Sequence, residues 1–510
     1  MIMWSDGTFI EDTYTYGYYK MLSPFFQRFR LLISGADMPP LAGAQTHCEL
    51  GFGQGVSLNI HAAAVPGSYF GTDFMPAHAA HANELLEASG ANGRFLDLGF
   101  AELLHLDDLP MFDSISLHGV WSWISRENQN AVVQFVRRFL KPGGTFYNSY
   151  NCLPGWNSKA PLRELMALKD EYERAQHGAL GRAQEAIAFA EKFIQAVPGW
   201  AQRHPEIAPA LEKLKGADAR YFAHEYLNRS WTPSYFTQTM EQFEDAKLDF
   251  ACSGSLLDAL DALESINMPE EARQFLLAEP YPLVREELRD FAIMRQFRGD
   301  LCVKGLRRLP ETERLRRLLA CRYVLTKAAP PEELKVNGYQ KGITIKKELT
   351  DSIFAHLLAD SARPKDFTGF DMEPAVLTSL LIAMTENGII APVQDDESIR
   401  LAAPGCGKLN RFICARSLYS QEIKWLANPT TGTGLNADQI TQMMLHFFWS
   451  DGSTRDLDRK VWNVLRAQKR ALIVGGRELH GDDENLAELQ RRAEHFTASE
   501  LPLLERLKIA

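Results

Sequence analysis

A glycine-rich turn at positions 49–55, with the sequence ELGFGQG, constrains the fold of this chain more than any other feature. It follows a short apolar strand that ends at Glu49-Leu50 and precedes a helix predicted over 56–64. Glycine in such a turn lets the backbone adopt positive φ angles and approach a ligand closely. The dinucleotide fingerprint GxGxxG would need another glycine where Val56 stands, so the spacing ExGxGxG departs from that fingerprint.

Beyond this turn, strand-like and helix-like segments alternate. This rhythm predicts an α/β fold in which a parallel, Rossmann-like sheet carries helices on both faces. The predicted strands are 69–73, 94–99, 113–117 and 145–150, and the predicted helices between them are 76–89 and 127–140.

A largely helical insertion is predicted at about 157–240, where the alternation stops. Strand-like segments return at 247–252 and 296–303 and would complete the sheet. We therefore predict a first domain at 1–304.

From residue 305 onward the pattern changes, which predicts a second region at 305–510. An arginine-rich amphipathic helix is predicted at 306–323. Helix, helix and β-hairpin make a winged-helix-like α+β pattern, and a similar set recurs between 437 and 479. The elements of the first set are helices at 351–362 and 373–387, a strand at 389–393, a turn at 395–397 and a returning strand at 399–401.

The net charge and the spacing of the cysteines indicate which partners and which cellular location to expect. A net charge of −10 disfavours a nucleic acid as partner, since an acidic surface repels phosphate backbones, so we expect the winged-helix-like region to dock protein. The seven cysteines are scattered singly, which fits a reducing cytosol and predicts no metal site. Neither a signal peptide nor a membrane span is expected, so the predicted location is cytoplasmic.

Asp73 ends the second predicted strand, 18 residues after Gly55. A carboxylate there accepts hydrogen bonds from two ribose hydroxyls. Glu49 can reach a cationic amino-acid head group, and the segment KPGG at 141–144 before the fifth strand adds independent support. Together these features indicate that the turn binds a ligand with a ribose. The alternative, which they disfavour, is a purely structural turn in which Asp73 is a helix cap.

Several longer motifs carry a family resemblance. They are HGVWSW at 118–123, SYN at 149–151 with PGW at 154–156, Tyr14 and Tyr19 before SPF at 23–25, and the group Tyr221, His224, Glu225 and Tyr226. With these motifs the chain resembles class I S-adenosylmethionine-dependent methyltransferases, specifically bacterial ones joined to a methyltransferase regulatory domain. That group includes enzymes that methylate lysines of outer-membrane proteins. The resemblance covers roughly residues 14–304 and, more loosely, the rest.

The resemblance implies S-adenosylmethionine as the cofactor, held through its methionine and ribose parts near Glu49 and Asp73. The turn 100–102 would lie beside the adenine. Many members have an Asp where this chain has Phe100, so Glu102 or a backbone carbonyl must accept the hydrogen bond that the adenine amine donates. His118 would sit beside the sulfonium. The predicted cofactor-binding residues are Glu49, Gly51, Phe52, Gly53, Gly55, Asp73, Phe74, Phe100, Ala101, His118 and Gly119.

Methyl transfer from a sulfonium is an in-line displacement, so the protein must mainly align the reacting atoms. Aromatic faces favour the cationic sulfonium and a lysine ammonium, so aromatic side chains can form a cage around these groups. Trp123 and Trp156 are candidates for this cage in addition to the aromatic catalytic residues named below. An amine nucleophile must lose its proton, so His118 is a candidate base, with a structural hydrogen bond as the alternative. Because Trp121 and Trp123 alternate, one of them can belong to the core. The predicted catalytic residues are His118, Tyr14, Tyr19, Trp121 and Tyr150.

We predict methylation of a protein side chain, with lysine favoured, and a region at 305–510 that positions the substrate or assists formation of a homodimer. The alternative is a small-molecule methyltransferase, because the insertion could cover either kind of site. A catalytically inactive binding scaffold is a third possibility, against which the intact glycine turn and Asp73 argue. No (Asn/Asp)-Pro-Pro-aromatic motif follows the fourth strand, which counts against adenine-N6 and glutamine methyltransferases.

Overall fold

Seven strands build the central sheet of the computed structural model. The structure describes residues 14–39, 44–173, 179–216, 222, 225–228, 230–260, 268–337, 342–367 and 372–510. The strands are β1 Thr46–Leu50, β2 Ser68–Thr72, β3 Gly93–Leu96, β4 Phe112–Leu117, β5 Leu140–Asn151, β6 Leu248–Ser253 and β7 Phe297–Lys304. They lie in the order β3-β2-β1-β4-β5-β7-β6, with β1 to β5 parallel and β6 and β7 antiparallel to their neighbours.

This sheet confirms the predicted Rossmann-like fold. Helices between the parallel strands cover its faces, and their ends carry the expected signals: Pro76 starts one helix, and Gly90 ends it with a φ of 65°. Ser125 accepts a hydrogen bond from the backbone amide of Asn128 and so caps another. The helices of this half are α1 Pro24–Ile33, α2 Val56–Ala64, α3 Pro76–Ser89, α4 Phe100–Leu104 and α5 Arg126–Phe139.

The helical insertion forms its own small core, in which Met166, Ala190 and Leu211 are buried together. Helix α10, Phe236–Glu244, then returns to the sheet, where Phe243 packs against Phe146. The helices from the insertion to β7 are α6 Ala160–Glu173, α7 Ala179–Ala196, α8 Pro198–Arg203, α9 Ile207–Lys215, α10 Phe236–Glu244, α11 Glu270–Ala278 and α12 Pro282–Ile293.

The remaining chain contains further helices and four two-stranded sheets in its described part. The helices are α13 Glu311–Ala320, α14 Lys347–Leu357, α15 Pro374–Glu386, α16 Asp396–Arg416, α17 Gln439–Asp451, α18 Leu457–Ala467, α19 Gly481–His495 and α20 Leu501–Arg506. The strands are β8 Tyr323–Leu325, β9 Leu334–Asn337, β10 Gly342–Ile345, β11 Ile390–Pro392, β12 Trp425–Asn428, β13 Thr433–Asn436, β14 Ile473–Val474 and β15 Arg477–Glu478.

Two predictions for this region are wrong. The returning strand at 399–401 lies inside α16, because Asp395 accepts a hydrogen bond from the backbone amide of Ser398 and caps that helix. Strand β11 pairs instead with β8, so the predicted hairpin at 389–401 is absent. The arginine-rich helix starts only after Pro310, since a proline disfavours helical backbone in the residue before it.

Residues beyond 305 share hydrophobic cores with the first half of the chain. Val56 and Ile60 of α2 are buried with Leu409 of α16. Phe29 of α1 lies in a second core with Leu381 of α15. The helix that follows the glycine turn is therefore packed on one face by the C-terminal region. Within the described ranges, no helix is both long and apolar enough to cross a membrane.

Candidate active site

A cavity of about 530 Å³ lies where the strands β1 to β5 end. Its wall includes the turn after β1, Asp73 after β2, Phe100 after β3, His118 after β4 and Asn151 at the end of β5. Parallel strands end at the same edge of a sheet, which is why segments far apart in sequence meet here.

The glycine turn needs glycine at its first and last positions. Gly51 has a φ of 68°, and a Cβ atom there would lie 2.8 Å from Cγ2 of Val120. Gly55 has a φ of 70°, and its Cβ would lie 2.4 Å from Cβ of Ala82 on α3. Positive φ and close packing together exclude larger side chains, so the backbone of the turn itself forms the cavity wall.

Asp73 joins the turn to the end of β2. Its Oδ2 accepts a hydrogen bond from the backbone amide of Gly53 at 2.8 Å. Its Oδ1 accepts from the amide of Met75 and lies 3.0 Å from Nδ1 of His78. Each carboxylate oxygen has two lone pairs, so Oδ1 is fully engaged by these contacts, whereas Oδ2 can still accept one hydrogen bond from a ligand.

Glu49 is a buried carboxyl group that lines the same cavity. Burial, with a smaller contribution from the nearby charge of Asp73, raises the pKa of Glu49 to about 8. No described residue donates a hydrogen bond to its side chain. A cationic group placed beside it would relieve the cost of its charge, which matches the amino group of an amino acid.

The N-terminal segment 14–19 crosses the cavity and is tied to the glycine turn. The amide of Tyr14 donates to Nε2 of His78 at 3.2 Å, and the side chain of Gln54 donates to the carbonyl of Tyr14 at 3.1 Å. The amide of Tyr19 donates to Oγ of Ser57 at 2.9 Å. Because Nε2 of His78 accepts a hydrogen bond from the amide of Tyr14, Nδ1 carries the hydrogen that points to Asp73. One chain of hydrogen bonds therefore connects the segment to the carboxylate.

His118 follows β4 in the wall of the cavity. Its ring centroid is 4.0 Å from that of Tyr19, and its Nδ1 lies 2.9 Å from Oγ of Ser149. The same hydroxyl accepts a hydrogen bond from the amide of Gly119 at 2.8 Å. Burial lowers the pKa of His118 to about 4, so the ring is neutral at neutral pH. If Ser149 donates to Nδ1, Nε2 carries a hydrogen; if Nδ1 donates, Nε2 is free to act as a base.

The far end of the cavity has aromatic walls and polar side chains. Trp231 packs edge-on against Trp156, with ring centroids 5.1 Å apart. The ring centroid of Trp231 also lies 6.4 Å from that of Trp123. Trp123 and Trp156 line the cavity, together with Asn151 and Glu225. This end lies beyond β4 and β5, whereas the turn, Asp73 and Phe100 follow β1, β2 and β3.

Most residues predicted from the sequence come together at this cavity. Those in its wall are Tyr14, Tyr19, Glu49, Gly51, Phe52, Gly53, Asp73, Phe74, Phe100, His118 and Gly119. Gly55 supports the turn from behind, and Ala101 lies next to Phe100 outside the wall. Trp121 and Tyr150 are only 1% exposed and lie in the core under the sheet. The motif residues Tyr221 and His224 lie outside the described residues.

Sequence reasoning missed other wall residues, among them Gln54, His78 and Phe297. Gln54 stands inside the glycine motif, so its position was a usable signal. His78 lies five residues after Asp73, a spacing that carries no recognisable pattern. Phe297 comes from β7, which only the antiparallel pairing with β5 brings to this edge.

The residues present fit S-adenosylmethionine. The positive-φ glycines give a wall of bare backbone, Asp73 can accept a hydrogen bond from a ribose hydroxyl, and Glu49 suits the cationic amino group. Phe100 lies where the adenine is expected and can pack against the base. In the described part of the chain, no three His, Cys, Asp or Glu side chains group in a way that could hold a metal ion.

Comparisons with known proteins agree with this geometry. A methyltransferase domain model matches residues 48–144, and a predicted methyltransferase regulatory domain matches 218–304. The uncharacterized protein sll1526 of Synechocystis is 33% identical, over 99% of this chain and 100% of that protein. The uncharacterized protein RP028 of Rickettsia prowazekii is 31% identical, over 41% of this chain and 82% of that protein.

Among solved structures, PKMT2 from Rickettsia typhi, in complex with AdoHcy, shares the fold. The TM-score is 0.69 at 18% identity, covering 96% of this chain and 98% of that one. The sheet order, the glycine turn and the matched domains lead to one conclusion. This chain belongs to the class I S-adenosylmethionine-dependent methyltransferases that carry a methyltransferase regulatory domain.

Proposed function

We propose that this enzyme methylates a protein side chain, most favourably the ε-amino group of lysine. The observation that carries the proposal is a row of half-exposed apolar side chains that reaches the cavity. Phe291, Met294 and Phe297 are 45%, 49% and 47% exposed, and Phe297 also lines the cavity. Exposed apolar side chains grouped in this way mark protein contact sites.

The position of Phe297 links this row to the reacting centre. Its ring lies edge-on to His118, with centroids 5.9 Å apart. Phe291 stacks on Tyr235 with centroids 5.6 Å apart, which extends the apolar surface along α12. A polypeptide lying on this surface could present one side chain to the cavity. The resemblance to lysine methyltransferases and the shared fold with PKMT2 support the same substrate class.

The cofactor supplies an electrophilic methyl group, and the chain must hold and orient the partners. We assign the amino-acid end of the cofactor to Glu49 and its ribose to Asp73. The cofactor can approach the backbone closely at Gly51, Gly53 and Gly119, which have no side chain. We place Phe52 and Phe74 beside these glycines and Phe100 beside the adenine.

On the substrate side, Tyr14, Tyr19 and Trp123 offer ring faces that favour cationic groups. His118 orients the reacting groups through its contact with Tyr19 and its hydrogen bond to Ser149. We do not include Trp121 or Tyr150, because both side chains are enclosed in the core. The docking role of 305–510, a homodimer and a cytoplasmic location remain predictions from the sequence.

The experiment is transfer of a tritiated methyl group from S-adenosylmethionine to a bacterial cell extract. Protein and small molecules are separated, and the labelled protein is hydrolysed to amino acids. We expect label on methylated lysine, and none with the Asp73→Asn variant. Label confined to small molecules would support the small-molecule alternative instead. Label on another amino acid would overturn the assignment to lysine, and no label at all with saturating cofactor would contradict the proposal.

A further inference from the structure

We propose that Glu225 and Asn151 form an amine subsite at the far end of the cavity, where Glu225 binds the substrate ammonium and takes its proton. This inference rests on the proposed function, because it names the groups that select an amine as nucleophile. It gives the helical insertion a chemical role in addition to covering the site.

The first observation is position. Glu225 belongs to the insertion, yet it lines the cavity together with Asn151 of β5. Its neighbour Tyr226 packs against Trp156, with ring centroids 6.0 Å apart, and this contact holds the segment beside the aromatic wall. The subsite therefore shares the cavity wall with Trp123 and Trp156, which follow β4 and β5, whereas Glu49 lies in β1 and Asp73 follows β2.

The second observation is that the carboxylate of Glu225 and one amide nitrogen of Asn151 have no partner among the described residues. No described residue makes an ion pair or a hydrogen bond with the carboxylate of Glu225. Asn151 is 5% exposed, and its Nδ2 is buried with no hydrogen-bond partner among the described residues. Its backbone is held on both sides, by Oγ of Ser122 and by the amide of Ser234. A buried amide without a partner carries an uncompensated desolvation cost, which a hydrogen-bonding ligand would recover.

The charges around the subsite favour a cation. Burial raises the pKa of Glu225 to about 7, so a proton can be bound or released near neutral pH. No lysine or arginine among the described residues lines the cavity. Arg163, which follows Trp156 in the insertion, lies over the face of Trp231 at 4.8 Å and donates to the carbonyl of Asn228. Its guanidinium is thus occupied by backbone and ring, and no described side chain neutralises Glu225.

The chemistry balances with this residue as the base. A substrate ammonium transfers one proton to the carboxylate of Glu225, which leaves a neutral amine with a lone pair. The amine nitrogen forms a bond to the methyl carbon while the carbon–sulfur bond breaks and its electron pair stays on sulfur. The product is a methylammonium, and Glu225 later releases its proton to solvent. Asn151 can hydrogen-bond the amine and hold it in line.

The test measures binding, with two nitrogen analogues of S-adenosylmethionine as probes. In both, nitrogen replaces sulfur; one carries a 3-aminopropyl arm and the other a butyl arm of the same length. Calorimetry at pH 7.5 compares the wild type with Glu225→Gln. Glu241→Gln is the matched control, since Glu241 is exposed on α10 and outside the cavity.

We expect the wild type and the control to bind the aminopropyl probe about tenfold more tightly than the butyl probe, the size of one charge-assisted hydrogen bond. In Glu225→Gln this preference should fall to near unity, while the affinity for S-adenosylhomocysteine stays unchanged. An intact preference in Glu225→Gln would overturn the subsite. Loss of S-adenosylhomocysteine binding in the wild type would instead contradict the proposed function. If Glu225→Gln does not fold, Glu225→Asp should show a reduced preference.

Discussion

Asp73 accepts a hydrogen bond from the backbone amide of Gly53 at 2.8 Å, so the end of β2 and the turn after β1 form one unit. The same carboxylate is held by the amide of Met75 and by His78. The central acceptor of the candidate cofactor site is thus held in place by backbone amides of the fold itself. Substitutions in this unit should therefore separate folding from binding.

Gly55 and Gly119 should respond differently to alanine. Both have positive φ, which costs an alanine about 1–2 kcal/mol. At Gly55 the new Cβ would also overlap Ala82, adding about 1–3 kcal/mol, whereas nothing lies within 4 Å of a Cβ at Gly119. Urea unfolding should show a clearly larger loss of unfolding free energy for Gly55→Ala. Gly119→Ala should fold but bind S-adenosylhomocysteine more weakly. Equal losses of stability would contradict the packing at Gly55.

Glu49→Gln should stabilise the ligand-free protein at alkaline pH. The pKa of Glu49 is about 8 in the folded state, above its ordinary value of 4.5, so the native state holds an extra proton between these values. Stability from this group is therefore lost as pH rises through about 8. The difference in Tm between variant and wild type should be small at pH 5 and grow up to pH 8.5. The variant should also bind S-adenosylhomocysteine more weakly, and a pH-independent Tm difference would contradict the shifted pKa.

His78→Leu should release the N-terminal segment. His78 joins the amide of Tyr14 to Asp73, so the substitution removes one of the hydrogen bonds that hold residues 14–19 across the cavity. Hydrogen exchange followed by mass spectrometry should show faster exchange in this segment, with little change in β1 and β2. S-adenosylhomocysteine should slow exchange in the wild type more than in the variant. Unchanged exchange in the segment would show that other contacts hold it.

Tyr150 and Arg298 should matter for stability rather than for binding. The hydroxyl of Tyr150 donates to Asp300, and the fully buried Arg298 pairs with Asp290, Asp300 and Glu286. Tyr150→Phe should cost about 1 kcal/mol. Arg298→Met should cost about 3–5 kcal/mol, because it leaves buried carboxylates unpaired. Chemical denaturation checks both values. If the Tyr150→Phe protein has normal stability but transfers methyl groups slowly, the prediction is contradicted, and Tyr150 is a catalytic residue.

The sequence predicts the parallel half of the sheet well, because glycine spacing and alternating apolar segments are local signals. The same reasoning fails at Asp395, where an acidic run resembles a turn but caps helix α16. Ser398, three residues later, was the signal for a cap. Apolar residues at 399 and 401 cannot distinguish a short strand from the first turns of a buried helix.

The cavity could be predicted only in part. Residues at the ends of β1 to β4 were found, since the topology of a parallel sheet brings strand ends together. Asn151 ends β5 and owes its place to the same topology, whereas Glu225 reaches the cavity through the path of the insertion, which no local pattern encodes. Trp121 and Tyr150 belong to motifs that reach the cavity, yet both side chains lie in the core. Tyr150 is turned there by the alternation of strand β5, and Trp121 lies in the short 3-10 helix Trp121–Trp123.

The most direct test of the account is the affinity for S-adenosylhomocysteine of the wild type and of Asp73→Asn, measured by calorimetry. Asp107→Ala is the control, because that carboxylate is 91% exposed and pairs only with Arg138 in the described structure. We predict micromolar binding by the wild type and the control, and at least about tenfold weaker binding by Asp73→Asn, since the hydrogen bond from the ribose loses its charged acceptor. Equal affinity in all three proteins, or no binding by the wild type, would contradict the assignment of this cavity as the cofactor site.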